Sequence, residues 1–295
     1  MVPRCVLVER PTEYQELLAR HGTRDQAGFF LAQRGARIQD LDGRHEQHRR
    51  CHQQVLAAVP PDWRRASIQR EDLDRFLFEP DDVIVVLGQD GLVANVAKYL
   101  TEQPVIGLNP LPGIYPGVLV PHPPDAAGDL MRDLQRGRTH TQERTMVAAR
   151  LDDGQTLTAL NEIFVGHVSH QSARYTITLA GATERQSSSG VIVATGTGAT
   201  GWAASIHFER HSALELPRPE DTRLAFFVRE AWPSPATGTT ITEGVLDREE
   251  TVTITSELGE GAVLFGDGIE GDRIHVDWGQ AINVGVADRT LHLVQ

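Results

Sequence analysis

Residues 83–92 read VIVVLGQDGL. An aliphatic run with no polar alternation reads as a strand covered on both faces, the habit of parallel sheets in α/β proteins. It breaks off at Gly88-Gln89-Asp90-Gly91, and LVANVAKYLTEQ (92–103) then carries helical spacing. A parallel strand that ends in glycine before a helix aims the helix's free N–H groups beyond the carboxyl edge of the sheet, where open α/β sheets bind ligands, anions foremost. Gly88 and Gly91 allow close backbone approach, and positive φ if needed. Asp90 puts a carboxylate in that place, awkward for phosphate alone but suited to a base or hydroxyl acceptor during phosphoryl transfer, or to a ligand reached through a divalent ion. By themselves the four residues read first as a solvated Asp-Gly turn, since short glycine motifs recur by chance.

Outward from this stretch, CVLVE (5–9), RRASIQRE (64–71) and PVIGLN (104–109) read as further strands, and TEYQELLARH (12–21), RDQAGFFLAQRG (24–35) and residues 39–58 as helices. Strands alternating with helices predict a parallel sheet with helices on both faces. The Pro/Gly-rich NPLPGIYPGVLVPHPP (109–124) interrupts the pattern, and the domain change is placed there. After a helix in DAAGDLMRDLQRG (125–137), short Val-, Ile- and Thr-rich stretches follow, separated by turn signals such as Asp153-Gly154 and Asp267-Gly268. The expected fold class is α/β plus all-β. An N-terminal parallel-sheet, Rossmann-like domain spans 1–120, and an antiparallel β-sandwich-like domain spans 121–295, with a C-terminal strand or helix free to pack back onto the first.

A second glycine-rich stretch, SSGVIVATGTGATGWAAS (188–205), repeats the logic of the first. A strand feeds a turn whose hydroxyls and N–H groups can act as donors before a helix-like GWAASIHFER. It lacks the Gly-Lys-Ser/Thr of a Walker A loop and the spacing of a dinucleotide fingerprint, and a glycine-rich hairpin loop is its plainer reading. Two such loops, one per expected domain, suggest an interdomain cleft lined with donors. In LNEIFVG (160–166), Asn161 and Glu162 point to opposite faces if the strand is regular.

Forty acidic against 28 basic residues leave a net charge of −12, which excludes an unassisted nucleic-acid binder. Two cysteines, Cys5 and Cys51, make no disulfide framework and favour a reducing compartment. No apolar run is long enough to span a bilayer, and no targeting pattern is evident, so a cytoplasmic location with no membrane partner is expected. His45, His48, Cys51 and His52 can share a helix face as metal ligands, but a solvated polar face explains them as well, and no metal site is assigned. Ser169 between His167 and His170 has no nucleophile-elbow context and reads as surface or ligand rim; Trp232 reads as a packing anchor.

With GQDG (88–91), NE (161–162) and TGTGATGW (195–202) in this order, the sequence resembles the NAD kinase family of the ATP-NAD kinase and diacylglycerol kinase-like superfamily. The Ser188-Ser189-Gly190 string, TGTG, Trp202 and an Asn-Glu strand running on into ARYTI make the mitochondrial-type branch the nearest. The resemblance covers nearly the whole chain, and the ordered motifs are far more specific than any one of them. It implies ATP-dependent phosphorylation of the 2′-hydroxyl of the adenosine ribose of NAD to give NADP. Asp90 would be catalytic, orienting or deprotonating that hydroxyl. Gly88, Gln89, Gly91, Asn161, Glu162, Ser189, Thr195, Thr197, Gly198, Thr200 and Trp202 would bind nucleotide. Mg²⁺ or Mn²⁺ would accompany ATP, the partners would be small-molecule nucleotides, and the assembly a homodimer or higher homo-oligomer. Gln89 stands where the family has glycine, and Thr200, followed by Gly201, where the branch has a lysine after TGTG-Ser. These departures keep two alternatives in view: a kinase for a nucleoside, sugar or lipid-like alcohol, and a non-catalytic NAD(P)-binding regulator.

Overall fold

A computed structural model describes residues 2–295. They form two units, the chain through Gln142 with His292–Gln295, and Glu143–Leu291. In the first, strands β1 (Arg4–Glu9), β2 (Arg64–Gln69), β3 (Asp82–Leu87) and β4 (Pro104–Leu108) alternate with helices α1 (Glu13–His21), α2 (Arg24–Ala32), α3 (Ile38–Ala58), α4 (Asp90–Ala97) and α5 (Ala127–Gln135). The strands pair in parallel in the order β2-β1-β3-β4, and residues 292 and 293 add a further parallel pairing to β4. Every residue of β3 is buried, as its unbroken hydrophobicity requires. Leu7, Val85, Leu87, Ile106 and Leu108 form a core with Val55 of α3, Met131 of α5 and Val294. The strand order reverses between β1 and β3, so the crevice at their carboxyl ends is the topological switch point.

The Pro/Gly-rich stretch after β4 folds back on this unit. The buried Asn109 organises it: its side chain donates to the Tyr115 carbonyl (3.2 Å) and accepts from Leu111 N–H (3.0 Å). Asn109 N–H donates to the His122 carbonyl at 2.8 Å, and the His122 ring sits 3.1 Å from the Val294 carbonyl oxygen. The return leg lies directly on β4 at Gly107, where a Cβ would collide with the Leu119 carbonyl. This contact brings the backbone of 118–119 to the start of α4.

The second unit holds β5 (Thr141–Leu151, from Glu143 on), β6 (Thr156–Ala159), β7 (Glu162–His167), β8 (Ala173–Leu179), β9 (Ala182–Ser188), β10 (Val191–Ala194), α6 (Trp202–Arg210), β11 (Leu224–Val228), β12 (Glu243–Leu246), β13 (Thr251–Ser256), β14 (Ala262–Gly266), β15 (Ile269–Val276) and most of β16 (Ala281–Val294). One antiparallel sheet runs β12-β11-β10-β7-β14-β15. Antiparallel pairs β9-β8, β8-β13, β13 with residues 281–285, and β5-β6 supply the facing layer. Val165, Val193, Phe226 and Leu264 of the first sheet share a core with Ile177, Val252, Ile254 and Ile282, the sandwich expected of short alternating strands. On the outer face, Ala203 and Ile206 of α6 cover Phe164, Ile192 and Phe227. Trp232 is 68% exposed, a correction to its reading as a packing anchor. Among the described residues no helix is long and apolar enough to cross a membrane.

Gly107→Ala should push the 117–120 backbone off β4 and lower stability by about 1–3 kcal/mol, the usual cost of overpacking. The urea unfolding midpoint checks it.

Candidate functional site

Asp90 is the first residue of α4, which starts two residues earlier than LVANV suggested, after Gln89 in extended conformation (φ −119°, ψ 167°). An acidic residue there complements the free N–H groups of the helix start. Its carboxylate is not a solvated turn. Oδ1 accepts from Leu119 N–H at 2.8 Å and Oδ2 from Val118 N–H at 3.1 Å, and each oxygen keeps a further acceptor site. Neither Gly88 nor Gly91 has positive φ. Gly88 is buried with its N–H on the Leu108 carbonyl (3.0 Å), whereas Gly91 has open space at its Cβ position.

Gln89 turns towards the end of β1. The amide orientation that satisfies its neighbours sets its oxygen on the Arg10 guanidinium, 2.9 Å from Nη1. Arg10, Tyr14, Arg44, His48, Gly88 and Gln89 line a cavity of about 40 Å³ at the switch point. The histidine face of α3 belongs to this region and is not simply solvated. His45 Nδ1 lies 2.9 Å from the Thr12 hydroxyl, and His52 Nδ1 lies 2.7 Å from Glu9 Oε2. Burial lowers the pKa of His48, against the opposing pull of Glu9. Among the described residues no three His, Cys, Asp or Glu side chains are grouped to hold a metal ion.

In the second unit, Asn161 precedes β7 instead of lying in it, so the opposite-faces expectation for Asn161 and Glu162 does not apply. Leu160 and Asn161 form a bend held from two sides. Asp267 accepts the N–H groups of Leu160 (3.1 Å) and Asn161 (2.7 Å), while Thr195 donates its hydroxyl to the Leu160 carbonyl (2.6 Å) and its N–H to the Asn161 carbonyl (2.9 Å). Glu162 begins β7, and burial, then the nearby Asp267 charge, pushes its carboxyl up to about 7.

The turn after β10 packs on the same bend. Gly198 sits where a Cβ would collide with the Asn161 carbonyl, so this glycine admits the chain's own backbone and not a ligand's. The Thr195 hydroxyl also accepts from Gly198 N–H (3.1 Å), and Thr200 spends its hydroxyl on the Thr197 carbonyl (2.9 Å). The donors expected at Thr195 and Thr200 are therefore committed internally. Thr197 differs: it is 4% exposed and its hydroxyl has no hydrogen-bond partner among the protein atoms. A buried orphan of this kind costs about 1–3 kcal/mol unless a ligand satisfies it.

Ser189 and Trp202 come together on a cavity of about 360 Å³, lined also by Phe164, His167, Ser169, His170, Arg229 and Arg273. The Trp202 ring stacks on Phe164 (centroids 5.8 Å apart), and the Arg229 guanidinium lies 5.1 Å from its centroid. Ser169 Oγ is 2.9 Å from His167 Nδ1, so this pair forms part of the rim.

Curated relatives share this sequence in part. It is 31% identical over 127 residues to the NAD kinase of Chlorobaculum tepidum, 36% over 135 residues to that of Methylococcus capsulatus, and 33% over 127 residues to that of Methanoregula boonei. Over the matched residues the chain is similar to NAD kinases. Each match covers 42% of the chain, and the chain spans somewhat under half of those relatives, 44% to 46% of their length. The fold matches yeast NADH kinase, solved in complex with NADH, at a TM-score of 0.63 and 16% identity, over 99% of this chain and 83% of that one. No protein-family model matches.

Sequence reasoning missed Arg10, Asp267 and Arg229. Asp267 carried a signal, as half of an Asp-Gly turn, but nothing in the sequence shows that its carboxylate reaches Leu160 and Asn161. The raised carboxyl of Glu162 makes stability depend on pH. Its folded value of about 7 lies above the ordinary 4.5, so the contribution is full below about pH 4.5 and is lost as pH rises through 7. The span is about 3 kcal/mol. Glu162→Gln should abolish that decline and unfold at higher urea than wild type at pH 8 but not at pH 4.5.

Proposed function

We propose that this chain is an ATP-dependent NAD kinase, phosphorylating the 2′-hydroxyl of the adenosine ribose of NAD to give NADP. The observation that carries the reading is Asp90, a carboxylate fixed at the carboxyl end of a parallel strand and at the start of a helix by two backbone N–H groups. A positioned acceptor with spare lone pairs suits a general base. The 2′-hydroxyl oxygen attacks the γ-phosphorus of ATP, its proton passes to Asp90, and ADP leaves. The helix N-terminus behind Gln89, with Gly88 and Gly91, favours phosphate oxygens. Mg²⁺ or Mn²⁺ arriving with ATP supplies the charge neutralisation that a chain of net charge −12 does not.

Asn161, Glu162 and the orphan hydroxyl of Thr197 contact nucleotide in this reading, with Ser189 and Trp202 at the wall of the second unit's cavity. Thr195, Gly198 and Thr200 act from behind, by shaping the turn. Gln89, where the family has glycine, spends its side chain on Arg10, which leaves the backbone of the loop open. The Ser188-Ser189-Gly190 string and Trp202 favour the mitochondrial-type branch. The protein works as a homodimer or higher assembly in the cytoplasm, without nucleic-acid or membrane partners.

Asp90→Asn should lower kcat for NADP formation from NAD, ATP and Mg²⁺ by at least about 10²-fold, the scale of a lost general base, with NAD binding little changed in calorimetry. Turnover retained in the variant would remove Asp90 from the chemistry, and a folded wild type that makes no NADP would end the kinase reading. Thr197→Val should leave stability unchanged or slightly higher while weakening NAD binding about tenfold, read by the same calorimetry.

A further inference from the structure

We propose that Asp267 is the positioning residue of the Asn161–Glu162 pair: a hairpin-turn aspartate whose carboxylate sets the backbone from which both side chains project. This rests on the reading of that pair as nucleotide contacts. Asp267 and Gly268 are the two residues between β14 and β15, Gly266 pairs with Ile269, and both turn residues have positive φ (55° and 66°). That is the type I′ hairpin geometry, for which Asp-Gly, Asn-Gly and Gly-Gly serve alike. The turn alone does not call for a carboxylate.

The contacts of the carboxylate do. Oδ2 accepts from Leu160 N–H at 3.1 Å and Oδ1 from Asn161 N–H at 2.7 Å, and the Asp267 N–H returns a bond to the Glu162 carbonyl at 3.0 Å. The carbonyls of Leu160 and Asn161 face the other way, onto Thr195. Both edges of the bend are thus occupied, one by Thr195 and the other by Asp267. An asparagine at 267 keeps the turn but offers one acceptor oxygen to two N–H groups, and its amide NH₂ would oppose the second. The Asp267 charge also faces Glu162, the acidic side chain whose titration it influences.

Asp267→Asn and Asp267→Gly both preserve the hairpin's turn preference, so loss of folding does not obscure the test. Two readouts do not depend on kinase activity. The Leu160 and Asn161 amides should exchange with solvent at least about tenfold faster in both variants than in wild type. The Glu162 carboxyl, followed by carbon-13 NMR, should titrate at lower pH once the charge is gone; a general loosening would lower it too, by hydrating the carboxyl, but would also lower the urea midpoint, which should stay within error of wild type at pH 4.5. A third readout is kinetic: KM for NAD should rise about tenfold while kcat changes little, the pattern of lost binding geometry. Unchanged exchange and an unchanged Glu162 titration would overturn the clamp. Changed exchange and titration with an unaltered KM for NAD would overturn its positioning role. A failed kinase reading looks different, since wild type itself would then make no NADP while the exchange and NMR readouts still report on the clamp.

Discussion

An aspartate carboxylate bridging two consecutive backbone N–H groups holds an irregular bend in each unit. Asp90 takes Val118 and Leu119 in the first; Asp267 takes Leu160 and Asn161 in the second. Hydrogen bonds to a charged acceptor are shorter and stronger than neutral ones, about 1.5–3 kcal/mol each, and two from adjacent amides fix direction as well as distance. Irregular backbone, which no sheet or helix satisfies, is thereby given a definite shape. In one unit the bridging carboxylate is itself the proposed base. In the other it stands behind the residues proposed to touch the substrate.

Close backbone packing makes the Asp90 bridge possible and brings a second segment onto the other bend. The 117–120 segment reaches Asp90 because Gly107 lets it lie on β4, and the turn after β10 reaches the Leu160–Asn161 bend because Gly198 has no side chain to strike the Asn161 carbonyl. Glycine in these places serves the chain's own contacts. That changes the chemistry available to the TGTGAT stretch (195–200): two of its three hydroxyls are consumed by the protein, and the buried Thr197 hydroxyl is left as the one without an internal partner.

The departures from the family pattern have local physical consequences. Gln89 does not crowd the helix start, because its amide is drawn off to Arg10 at the end of β1. The histidines of α3 lie in the same region, His45 on Thr12 and His52 on Glu9. In the sandwich unit, Arg229 and Arg273 place positive charge around an aromatic wall, in a protein that is acidic as a whole.

Hydrophobic pattern and turn chemistry are local, so the sequence by itself determined the parallel α/β layout of the first part, the antiparallel strands of the second, and the ordered motifs GQDG, NE and TGTG that carry the resemblance to NAD kinases. It also determined which residue types stand at the candidate site. Only the tertiary structure decided what those side chains face. Asp90 is a clamped acceptor and not a solvated turn, Thr195 and Thr200 bond inward while Thr197 does not, Asn161 lies before its strand, and Asp267 reaches a bend far away in the chain. Thr200 turns locally onto Thr197, but the contacts of Asp90, Thr195 and Asp267 join segments distant in sequence, and no periodicity or motif spacing encodes which distant N–H a carboxylate will meet.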